Sequence, residues 1–86
     1  MFLHLGGDDS VRLRDVVSMH AYQEMCASTD GKKFLSENKE ALKDLSGGRP
    51  KSAVVTTSGI YLSKLSVDTL KRRSSVFFNK PWVVHF

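Results

Sequence analysis

The chain has 86 residues, of which 41% are hydrophobic and 26% charged, with a net charge of +4 and a pI near 9.5. That length allows one domain with one modest core, and the composition excludes disorder. A basic balance favours anionic partners, and the absence of any apolar run near about 20 residues argues against a membrane span.

"FLHLGGDDSVRLRDVVSMH" predicts two strands joined by a Gly-Gly-Asp-Asp turn. On the second strand Val11, Leu13, Val17 and Met19 form one face, with Arg12, Arg14, Val16 and Ser18 opposite. Asp15 then falls on the apolar face, so a bulge or helical turn is expected near "RDVV". "STDGKKFLSENKEALKDLSGG" is the best helix candidate: Ser28, Thr29 or Asp30 can cap it, Phe34, Leu35, Ala41, Leu42 and Leu45 share a side, and Gly47-Gly48 end it. "SAVVTTSGIYLSKLS" reads as a hairpin turning at Ser58-Gly59. "LSVDTLKRRSS" reads as a short helix with Ser66 as N-cap, Asp68 in the first turn and a Leu65/Leu70 staple. The tail "VFFNKPWVVHF" is too apolar for a solvated terminus and is expected to pack on its own core or on a neighbouring subunit.

Catalytic patterns are missing. His4, His20 and His85 keep no metal-ligand spacing, and His4 and His20, if on adjacent strands, read as sheet-surface residues rather than ligands. Asp8-Asp9 is explained by the turn. "GGRPKS" lacks the Gly-Lys-Ser/Thr ending of a P-loop. Cys26 is single, so no internal disulfide forms, and without a placed base it reads as packing or loop. No enzyme, cofactor or metal is expected, and no signal peptide is seen, which predicts a cytoplasmic protein.

Charge is the feature left over. Residues 49–80 hold seven basic groups against one acidic, while residues 1–48 hold six basic against eight acidic. Arg49 and Lys51 leave a glycine turn where cations and backbone amides can meet a phosphate. Lys71, Arg72 and Arg73 form a second cluster, which equally suits the C-terminus of a helix, and Arg12 and Arg14 form a third group.

The segments "FLHLGGD", "RDVV", "GRPKSAVVTT" and "IYLSKLSVDTLKRR" resemble the bacterial extracellular-matrix regulators of the RemA/RemB family, closest to the RemB branch. The likeness runs over residues 2–73, with little through 20–45. It implies a RemA/RemB-like domain over residues 1–75, with 76–86 as an apolar tail outside it. The fold implied is α+β, a small antiparallel sheet of about four strands with two helices, LytTR-like and oligomeric. It further implies a homo-oligomer, ring-like, that binds DNA through arginines and activates matrix (biofilm) genes. The family's Arg-Arg pair before the "AVV" strand falls on Arg49 and Pro50, leaving Lys51 to supply the second cation. Its second-strand Arg falls on Asp15, with Arg14 one residue earlier and on the opposite side of a regular strand. The expected DNA contacts are therefore Arg49, Lys51, Arg14, Arg12, Lys71, Arg72 and Arg73, made to backbone phosphate. Phe77, Phe78, Trp82 and Phe86 are the expected oligomer anchors. The competing expectation is a protein-interaction subunit of the same fold without DNA contact.

Overall fold

The computed structural model describes residues 2–6 and 9–75. The chain opens as the expected hairpin, β1 (Phe2–Gly6) against β2 (Asp9–Arg12), with Leu3 opposite Val11 and His4 opposite Ser10. Strand alternation puts Leu3, Leu5 and Val11 on the buried face and leaves Phe2, His4, Ser10 and Arg12 exposed. At Leu13–Asp15 the chain makes one 3-10 turn, the helical turn anticipated near Asp15, and then enters β3 (Val16–Ala21). The expected facing fails after that turn. Val16 is buried and Val17 exposed, because the turn and a bulge between Val16 and Ser18 shift the alternation by one residue.

The segment after β3 departs most from expectation. Tyr22–Ala27 forms α1, which periodicity did not reveal, and α2 covers only Thr29–Glu37 of the helix expected over 28–48. Ser28 is its N-cap, its Oγ accepting from Gly31 N at 2.9 Å. Asn38 closes the helix, since both its amide groups donate to Phe34 O, at 3.1 Å from the backbone and 2.8 Å from the side chain. After a 3-10 turn at Lys39–Ala41 comes a short strand, β4 (Leu42–Asp44). Leu42 and Leu45 do not share one helix face. In extended chain, residues three apart point to opposite sides, and these two pack in the two different core clusters.

β5 (Ser52–Thr56) and β6 (Gly59–Ser63) form the expected hairpin, with the two-residue turn at Thr57-Ser58, one position before the expected Ser58-Gly59, because Thr56 pairs with Gly59. The larger sheet runs β3-β5-β6-β4, antiparallel except that β4 lies parallel to β6. The sheet is therefore mixed rather than antiparallel, a separate two-stranded hairpin accompanies it, and the described residues hold three α-helices rather than two. α3 (Val67–Ser75) starts as expected at Ser66, whose Oγ accepts from Thr69 N at 3.2 Å.

Two half-cores flank the larger sheet. Met19 and Val54 pack with Leu3, Leu5, Val11, Leu13, Val16 and Leu70 under the hairpin and α3, with Leu65 joining the same cluster as the staple requires. Ala53, Ile60 and Leu62 pack with Met25 under α1 and α2. His20 is buried at 3% exposure, not a surface residue, and its Nε2 lies 2.8 Å from Ser18 Oγ. It stands on β3 while His4 stands exposed in the other sheet, so the two histidines do not form a pair. Cys26 is half-buried on α1; its hydrogen bond to Tyr22, helped by burial, pushes the phenol's pKa up. Residues 76–86, with the expected anchors Phe77, Phe78, Trp82 and Phe86, lie outside the described residues. No helix among the described residues is long and apolar enough to cross a membrane.

Candidate nucleic-acid interface

Gly47 and Gly48 do not end a helix; they shape the loop between β4 and β5 that carries Arg49 and Lys51. Its ends are fixed to the sheet. Leu45 N donates to Leu62 O and Lys51 N to Ser63 O, both at 2.8 Å, and Lys51 O accepts from Tyr22 N at 3.0 Å. Between those points Gly47 and Gly48 take φ of +71° and +92°, a backbone region that side chains with a Cβ rarely enter. The Asp44 carboxylate faces this turn. Its Oδ1 accepts from Ser46 N at 2.8 Å and from the Ser46 hydroxyl, and its Oδ2 accepts from Gly48 N at 3.1 Å. The Ser46 hydroxyl and amide, with the Gly48 amide, hold this carboxyl below its usual pKa, since each donor favours the ionised form. Arg49 and Lys51 are both exposed, on either side of half-buried Pro50.

Tertiary structure brings Lys51 to Lys71. Both line one cleft of about 370 Å³ between the start of α1 and the start of α3, together with Glu24, Ser66 and Asp68. Two lysines there line the cleft with two carboxylates, so the cleft itself carries no excess positive charge, and Arg49 stands outside that balance. Lys71, Arg72 and Arg73 are exposed, and Arg73 Nη1 donates to His4 O at 3.4 Å, tying the end of α3 to β1.

Arg12 and Arg14 stand at the other end of the sheet. Thr57 N donates to Asp15 O at 2.9 Å, which places the 3-10 turn beside the β5–β6 turn, whereas Lys51 precedes β5. Those positions are six residue steps apart along β5, about 20 Å at the usual rise. The chain thus presents cations at both ends of β5, Arg49 beside the charge-balanced Lys51/Lys71 cleft at one and Arg12 and Arg14 at the other. Because Arg14 and Asp15 occupy a 3-10 turn and not a regular strand, their side chains diverge by about 120°, not 180°. Sequence reading missed Asp44, which it placed inside a helix; the signal was there in "DLSGG", an acid followed two residues later by Ser and then Gly-Gly. Among the described residues no three His, Cys, Asp or Glu side chains gather to hold a metal.

This α+β domain belongs to the RemA-like family, described as extracellular matrix regulatory protein A-like, whose model matches residues 2–73. The chain is similar to Extracellular matrix regulatory protein B of Bacillus subtilis (strain 168). The two are 38% identical over 78 residues, spanning 91% of this chain and 95% of that protein. The match includes the segment 20–45, where the motifs quoted above were silent.

Proposed function

We propose that this chain is a non-catalytic, cytoplasmic DNA-binding regulator of extracellular-matrix genes. It holds backbone phosphate through Arg49 and Lys51, a contact repeated around a ring-like homo-oligomer. The observation that carries this reading is the loop: a member of a matrix-regulator family displays two exposed cations on a glycine turn whose ends are hydrogen-bonded to the sheet and helix framework. Two cations alone give weak binding, since non-specific affinities of a whole protein at physiological salt are only about 10⁻⁴ to 10⁻⁶ M. Repetition on a curved assembly raises avidity with no new contact per subunit, provided the duplex bends to follow it.

Mobility shift of a bendable, AT-rich duplex over a salt series tests the reading. The logarithm of affinity is expected to fall linearly with the logarithm of salt, by about 0.9 for each phosphate neutralised. Salt-independent binding, or none at low salt, contradicts it. Within that assay Arg49→Ala is expected to weaken binding more than Arg14→Ala, because Arg14 adjoins Asp15 and lies at the opposite end of β5 from the loop. A larger loss from Arg14 would move the contact to the other end of β5.

A protein-interaction subunit is the second reading, and a separate observation favours it. Phe2 and Val17 are each 61% exposed, an unusual placement for large apolar side chains, and β3 and β4 are edge strands of their sheet. Self-association without a mobility shift at low salt would select it.

A further inference from the structure

The segment that presents Arg49 is held to the sheet by backbone hydrogen bonds at its ends, and between them by the Asp44 carboxylate at the edge of β4. A Cβ built at Gly47 or Gly48 would meet nothing within 4 Å, so these two glycines face open space. Two consecutive glycines have the most conformational freedom to lose, and a loop that is competent only part of the time weakens binding by that fraction. Among the described residues, the side chain that restrains the turn is Asp44, through Ser46 N, the Ser46 hydroxyl and Gly48 N.

We propose that Asp44 is a positioning residue for DNA binding: its carboxylate orders the Gly47-Gly48 turn so that Arg49 and Lys51 are presented together. The inference rests on the reading of Arg49 and Lys51 as phosphate contacts, and it carries a sign that charge alone does not give. By Coulomb's law an exposed carboxylate beside the loop opposes a polyanion, and its removal should tighten binding. Ordering of the loop works the other way. Asp44 lies on an exposed edge where its repulsion is screened over about 8 Å at physiological salt, while its hydrogen bonds act at contact.

Asp44→Ala and Asp44→Asn in the full chain separate the two effects, because both delete the same charge. Asn keeps one oxygen for the Ser46 donors and loses the acceptor for Gly48. Asp44→Ala is expected to weaken binding of the AT-rich duplex about three- to tenfold, the usual cost of re-ordering one or two flexible groups, with Asp44→Asn closer to wild type. ¹⁵N relaxation without DNA should show residues 46–48 more mobile in Asp44→Ala, with the Val54 and Leu70 amides unchanged. In the wild type the same mobility should rise only as pH falls below the ordinary carboxylate range. The carboxyl's pKa is depressed by the donors, so its contribution is complete above the unfolded pKa and disappears through the lower folded one. Asp44→Ala should show no such step. Equal or tighter DNA binding by Asp44→Ala, or glycines that stay rigid in it, overturns the proposal and leaves the DNA-binding reading standing. A wild type that shifts no DNA while its turn loosens in Asp44→Ala overturns the DNA-binding reading, and the positioning role with it.

Discussion

Reversing both charges of the 49–51 segment, Arg49→Glu with Lys51→Glu, is expected to abolish DNA binding without unfolding the chain. Both side chains are exposed, and the hydrogen bonds that fix the segment are made by backbone, Lys51 N to Ser63 O and Tyr22 N to Lys51 O, so substitution leaves them in place. A hydrogen bond to a charged group contributes about 1.5 to 3 kcal/mol, so two lost phosphate contacts correspond to about a hundredfold or more per loop. Repetition in an oligomer multiplies that loss, and the new carboxylates add repulsion. Circular dichroism and thermal unfolding close to wild type, together with loss of the mobility shift, are the expected pair of results. Wild-type affinity in the double variant would remove this loop from the interface and direct attention to Arg12 and Arg14.

The largest stability effect is expected at Gly31. From helix propensity, Gly→Ala inside a helix gains up to about 1 kcal/mol. The packing of α1 on α2 reverses the sign. A Cβ at Gly31 would stand 2.1 Å from Met25 O and 2.8 Å from Met25 C, and these are backbone atoms that cannot rotate aside. Relief requires α2 to move off α1, which disturbs Met25, the fully buried residue of α1. Overpacking against backbone belongs at the upper end of the range, about 3 kcal/mol or more, a large part of the 5 to 15 kcal/mol that holds a typical domain. For a domain of this size the midpoint should fall by about 12 °C or more in a thermal melt. An unchanged or raised midpoint would mean that α1 and α2 do not meet as described.

The two hairpins, an irregularity near Asp15, the Ser66 cap and the short basic helix were legible, and Ser28 was one of three candidate caps, because each is written in neighbouring residues. Residues 38–45 were not. Leu42 and Leu45 have helical spacing, but the same spacing serves a strand that feeds two half-cores, and only the presence of β6 alongside decides between them. α1 was illegible for a related reason: Tyr22 and Met25 on six residues give too few repeats to establish a period. That Arg49 and Lys51 sit exposed on a loop was legible from residue type and position. The turn-forming role of Asp44 is hidden by the helical spacing of the residues around it, and only the β4–β6 pairing exposes it.

By itself the sequence determined the family, the hairpins, the helix caps and the concentration of positive charge in the second half, since these depend on residue type, local order and turn chemistry. Tertiary structure decided three things that no local pattern contains. Pairing of β4 with β6 turned the end of an apparent helix into an edge strand and made the sheet mixed. The α1–α2 corner gave Gly31 a steric role where propensity assigned it a cost. Chain reversal through β5 separated Arg14 from Lys51 while bringing Lys71 to it, because side chains distant in sequence share a surface only through the route the backbone takes between them.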